Sequence, residues 1–112
     1  MKYKVVLVPF PFDDLTATKV RPAVCLTDEI KPHGHVVLAF ITSKVSSNAS
    51  ATDFVIDKSD ADFAMTGLKV SSTIRLHRLM TVAKSIIRRE LGELSVAQQT
   101  EIDNRLRKLF NL

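Results

Sequence analysis

The apolar positions of this chain come in short, dense runs. Val5 to Val8 form the first, Ala23 to Leu26 the second and Val36 to Ile41 the third. Within each run consecutive residues are apolar, so both faces of each strand must meet other protein. That pattern belongs to strands inside a barrel or sandwich, not to a sheet with one wet face. Pro9 and Pro11 follow the first run, and proline has no amide to give a ladder, so the strand is expected to stop there. The predicted strands are Lys4 to Pro9, Arg21 to Thr27 and His35 to Thr42. A loop from Phe10 to Val20 and a turn from Glu29 to Gly34, containing Pro32, connect them. Neither connection is long enough for the crossover that a parallel pair needs, so the three strands form an antiparallel meander.

Ser43 to Thr52 is small and polar and reads as a mobile loop. Asp53 to Ile56 reads as a short strand, and Asp57 to Phe63 as an acidic turn with room for a short helical piece. Leu68 to Ser72 and Thr73 to Val82 read as two strands or one long bent strand, and Ile86 with Ile87 as a further short one. Gly92-Glu93-Leu94 is expected to break the pattern. Ser95-Val96-Ala97-Gln98 then has the form of a capping box, in which serine and glutamine each satisfy an exposed amide. Ile102, Leu106 and Leu109 follow on one helical face, and Arg105, Arg107 and Lys108 crowd the end where cations oppose the helix dipole. Strands followed by one amphipathic helix predict a mainly β, α+β fold.

A length of 112 residues suggests one domain, 1–112, with a core that needs no disulfide. Cys25 is the only cysteine, so no internal disulfide can form. Its place in an apolar run marks it as a small buried hydrophobe of a reducing, cytoplasmic compartment. No apolar run approaches the ~20 residues of a membrane span, and no signal-peptide pattern opens the chain. The net charge is +4, with equal numbers of acids and bases up to residue 74. The whole excess lies in residues 75–112, which hold eight Lys/Arg against four Asp/Glu. An anionic partner, nucleic acid or an acidic peptide, fits that asymmetry.

The segments VLVPFPFDDL and KVRPAVCLT, with GLKVSSTIRLHRLMTV and IRRELGELS further on, resemble the PemK/MazF toxins, bacterial toxin–antitoxin ribonucleases. Tyr3 and Lys4 stand where commoner members carry Gly-Asp, which marks a divergent branch. The resemblance implies a small SH3-like antiparallel barrel of the MazF/CcdB type with a C-terminal helix, assembled as a homodimer. It also implies a sequence-selective endoribonuclease of single-stranded RNA (mRNA) that works without metal or other cofactor, and a cognate antitoxin as partner. DNA would be bound only as the toxin–antitoxin complex. The alternative is a non-enzymatic, CcdB-like toxin or binding module on the same fold. Members poisoning gyrase share a terminal Trp-Gly-Ile, whereas this chain has no tryptophan and ends Phe110-Asn111-Leu112.

RNA supplies its own nucleophile, the 2′-hydroxyl. A site must take that proton, protonate the leaving 5′-oxygen and stabilise charge on phosphorus. Arginine suits the phosphate because its planar fork donates two parallel hydrogen bonds. By resemblance Arg21, in the Arg-Pro pair opening the second strand, is the catalytic arginine. Thr42, in Ile41-Thr42-Ser43, is a hydroxyl for the scissile phosphate. Arg75 and His77 alternate along one strand and are expected to share a face. His77 stands where relatives carry aspartate, and histidine can serve as a base near neutral pH. Ser43, Lys44, Lys19 and Arg78 are candidate RNA contacts. Phe12 is the candidate to stack on an unpaired base, against the alternative that Phe10 and Phe12 anchor the core or a dimer. His33 and His35 could ligate a metal, but no carboxylate or cysteine accompanies them and they read as turn residues. Gly34 and Gly67 read as turn glycines rather than a phosphate cradle.

Overall fold

The computed structural model describes residues 1–10, 19–45 and 50–112, with Phe10 described by its backbone. The expectations for Phe12, and for most of the loops around it and around Asn48, lie outside the described residues. Among the described residues six strands form one antiparallel sheet: β1 Lys4–Phe10, β2 Lys19–Cys25, β3 His35–Thr42, β4 Asp53–Ile56, β5 Ser72–Ala83 and β6 Arg89–Glu93. One helix, α1 Val96–Phe110, closes the chain. The spatial order is β4-β5-β3-β2-β1-β6, so β1, β2 and β3 make the expected meander at the centre.

The dense apolar runs behave as their pattern predicts, because each strand buries both faces. On one face Val5, Val24, Ala39 and Ile41 join Ile74, Leu76, Leu94 and Ile102, with the helix as the lid. On the other, Val6, Val8, Ala23, Cys25, Val36 and Leu38 form a second buried cluster. Val82 and Ile87 reach this second cluster from β5 and just beyond it, which the curl of the sheet allows. Burial pushes the Cys25 thiol up to about 11, so it stays protonated and inert at neutral pH.

Four expectations are corrected. β1 does not stop at Pro9 but continues to Phe10, with Pro9 opposite Val20. β6 pairs only as far as Leu7, so Pro9 has a neighbour on one side alone and its missing amide costs no second ladder. Leu68 to Ser71 is not a strand; it bends, and β5 begins at Ser72. Ile86 lies in a 3-10 turn, Lys84–Ile86, not a strand. Gly92 does not break the chain but sits inside β6. A Cβ on Gly92 would run into the Met65 carbonyl and the Thr66 backbone, and one on Gly67 into the Leu91 carbonyl. The strand and the 3-10 turn Ala64–Thr66 therefore lie backbone against backbone, and Gly67, at φ 74°, ends that turn.

The helix start is built as its sequence indicates. The Gln98 amide donates to Ser95 Oγ at 3.1 Å and the Ser95 amide to Gln98 Oε1 at 2.8 Å. Ser95 Oγ in turn donates to Asp62, tying the cap to the preceding loop. Ile102 is fully buried and Leu106 packs beside it. No helix among the described residues is long and apolar enough to cross a membrane.

Candidate functional site

A cavity of about 280 Å³ opens where β2, β3 and β5 meet, and its wall is cationic. Arg21 comes from β2, opposite Val8. Phe40, Ile41 and Thr42 come from the end of β3, with Lys44 just past it. Arg75 and Arg78 come from β5. Among the described residues four cations and no carboxylate line the space, so this wall attracts anions.

Local hydrogen bonds fix two of these groups. Thr42 Oγ1 accepts the Lys44 amide at 3.2 Å and keeps its own proton to donate. The Thr73 hydroxyl donates to the Lys44 carbonyl at 2.9 Å, which clamps the turn after β3 against β5. Arg75 is paired with Phe40 on one side and Asp53 on the other. Its Nε is buried and has no hydrogen-bond partner among the described residues. A buried donor left unmatched is costly, so Arg75 is held in the wall at some expense of stability.

Of the residues named from sequence, Arg21, Thr42, Lys44, Arg75 and Arg78 line this one cavity. Ser43 lines a second, of about 360 Å³, which shares Arg21 and Ile41 with the first. Lys19 is exposed near the start of β2, opposite Phe10, and lines neither. His77 does not join Arg75 in the cavity wall. Between the pairs Phe40–Arg75 and Ala39–Leu79 the register slips, leaving Leu76, His77 and Arg78 in a bulge. Leu76 is buried in the core, His77 Nδ1 lies 3.1 Å from the Thr52 hydroxyl, and Arg78 reaches the cavity. Arg78, not His77, is thus the companion of Arg75.

Sequence reading missed Asp53. It stands directly opposite Arg75, with Oδ1 buried and without a hydrogen-bond partner among the described residues, and Oδ2 accepting the Ser50 amide at 3.4 Å. Its signal was a carboxylate opening an otherwise apolar strand, beside a polar loop. Among the described residues no three His, Cys, Asp or Glu side chains gather as a metal site would need. His33 and His35 stack on each other at 5.6 Å between ring centroids.

Residues 1–110 match the model of one protein family, the PemK-like, MazF-like toxins of type II toxin–antitoxin systems. The chain belongs to that family. Among solved structures, the Mycobacterium tuberculosis toxin MazF-mt6 is 24% identical with a TM-score of 0.74, each chain being covered over 97% of its length. A mycobacterial endoribonuclease solved with its cognate antitoxin is 16% identical at TM-score 0.76, over 100% of this chain and 95% of that one. MazF from Deinococcus radiodurans is 16% identical at TM-score 0.72, over 99% and 96%. At these identities the neighbours establish the MazF-like fold, a curled antiparallel sheet with a C-terminal helix. No curated protein matches the chain in sequence at a significant level.

Proposed function

We propose that this MazF-like toxin is an endoribonuclease of single-stranded RNA. The observation that carries the reading is the cavity itself: three arginines, a lysine and a threonine hydroxyl converge from β2, β5 and the end of β3, with no carboxylate among the described lining residues. The 2′-hydroxyl attacks the adjacent phosphorus and loses its proton, and the P–O5′ bond breaks as the 5′-oxygen gains one. The products are a 2′,3′-cyclic phosphate and a 5′-hydroxyl. Arg21 and Arg75 stabilise the charge that builds on the phosphate, and the Thr42 hydroxyl donates to it. Arg78, Lys44 and Ser43 hold the neighbouring backbone and Lys19 steers it in. His77, which stands outside the cavity wall, is the candidate proton acceptor. Thr52 holds its Nδ1 and leaves Nε2 for the proton. These cations do the work a metal ion does in other nucleases, so the reaction proceeds without one.

The family membership and a neighbour described as an endoribonuclease with its antitoxin support this reading and an antitoxin partner. The toxin acts in the cytoplasm as a homodimer of one-domain chains, with DNA bound only through the antitoxin complex. Light scattering at micromolar concentration measures the dimer. The decisive experiment is incubation of the purified protein with mixed-sequence RNA in EDTA. Fragments ending in 2′,3′-cyclic phosphate are expected, and intact RNA overturns the proposal.

A further inference from the structure

Arg75 Nε and Asp53 Oδ1 are buried and find no hydrogen-bond partner among the described residues. The two residues are direct partners in the β4–β5 ladder. Opposed residues of an antiparallel pair project to one face, with Cβ atoms ~4.5–5.5 Å apart. A row crosses the sheet here, Ala23, Phe40, Arg75 and Asp53, each opposite the next. Phe40 and Arg75 line the first cavity, and Asp53 stands one strand further out. A donor without an acceptor and an acceptor without a donor thus face each other beside the phosphate site.

The backbone of Asp53 is fixed from two sides. Arg105 Nη1, on α1, donates to the Asp53 carbonyl at 2.7 Å and to the Ala51 carbonyl at 3.1 Å. The Leu76 amide of β5 donates to the Thr52 carbonyl at 2.9 Å. The carboxylate is engaged through Oδ2, which accepts the Ser50 amide at 3.4 Å, and Oδ1 is left over. Of the Arg75 nitrogens only Nε is both buried and unmatched. A guanidinium carries five donors in one plane, so one edge can bind a carboxylate while another meets a phosphate.

We propose that Asp53 is a positioning residue for Arg75, and that its Oδ1 accepts the Arg75 Nε–H when a phosphate enters the cavity. The proposal rests on the RNA-cleaving reading above. In the free protein the pair is open. A phosphate that engages the terminal nitrogens of Arg75 confines the guanidinium to one orientation. Closing the Nε–Oδ1 bond then fixes that orientation and matches two orphaned buried atoms at once. The bond is charge-assisted at both ends, which makes it short and directional. Asp53 does not touch the substrate; it acts by holding the group that does.

Two measurements test this with the full chain, on wild type, Asp53→Asn, Arg75→Met and the double variant. Asparagine keeps an acceptor for the Ser50 amide, and circular dichroism checks the folds. The first is a double-mutant cycle on single-turnover cleavage of mixed-sequence RNA. Asp53→Asn should slow cleavage about tenfold beside Arg75 and cost little more beside Met, which offers no donor. A merely structural Asp53 would cost the same in both backgrounds. The second reads the arginine Nε–H signals by nitrogen-15 NMR, with the Arg75 signal assigned by its loss in Arg75→Met. A mixed-sequence 2′-O-methyl RNA, which cannot be cleaved, should slow solvent exchange of that proton about tenfold in wild type but not in Asp53→Asn. The wild-type spectrum decides on its own if Asp53→Asn does not fold. Cleavage with equal costs in both backgrounds, or with an Nε–H that RNA leaves unprotected, overturns the Asp53 assignment alone. Protection by RNA with no cleavage overturns the nuclease reading and leaves the pair. Neither cleavage nor protection overturns both.

Discussion

At the scale of single residues the site is a contest between stability and charge. Arg21→Ala should lower cleavage by about 10²–10³, the loss expected for one preorganised charge stabiliser. Turnover near wild type in the folded variant removes Arg21 from the chemistry. Arg75 makes a sharper case, because its Nε is buried and unmatched. Arg75→Met keeps the aliphatic stem and removes the orphan donor, so the variant should be more stable by about 1–2 kcal/mol while cutting RNA poorly. Urea unfolding and a cleavage assay read the two effects, and a destabilised variant refutes the account. If His77 is the proton acceptor, His77→Ala should fold as wild type and cut RNA poorly, by about 10²-fold or more. Near-wild-type turnover in the folded variant reduces His77 to its bond with Thr52. Arg21 was singled out because its Arg-Pro pair resembles the family's motif, and it lines the cavity as the third residue of β2. The separation of His77 from Arg75 was not legible. Ile74-Arg75-Leu76-His77-Arg78 alternates without a flaw, and the bulge arises from the pairing partner β3.

At the scale of elements, what was legible depended on whether burial left a periodic trace. β1, β2 and β3 bury both faces and carry unbroken apolar runs, so their existence could be read directly. The helix announced itself through Ser95, Gln98 and the spacing to Ile102 and Leu106. β6 gave no such trace. Arg89, Glu90 and Glu93 are exposed, and its glycine looks like an interruption. The strand exists because β1 pairs with it and because Gly92 lies against the turn at Met65 and Thr66. A strand glycine of this kind marks a close backbone approach, which no single-residue pattern encodes. Gly92→Ala should therefore force β6 away from that turn and cost about 2–3 kcal/mol, in the range of overpacked cores. A denaturation midpoint equal to wild type means the turn yields without cost.

At the scale of the whole molecule, the order of strands carries the function. β4 lies at the far edge and β5 returns beside β3, which brings Arg75 and Arg78 to the cavity that already holds Arg21 and Lys44. Sequence located the charge excess in residues 75–112 but not this convergence, because strand order depends on long-range pairing. A positive groove open to RNA phosphates is equally open to an acidic peptide. The antitoxin should therefore supply an acidic segment, disordered when free, that folds across the same groove and covers a large surface for modest affinity per area. Its apolar side chains would set how long it stays, and its charges how fast it arrives. Raising salt from low to physiological shortens the Debye length from ~30 Å to ~8 Å, so association should slow while dissociation changes little. Titration of the purified antitoxin segment into protein bound to a labelled, non-cleavable RNA should release the RNA. A stable ternary complex, or an association rate indifferent to salt, means the antitoxin inhibits from another surface.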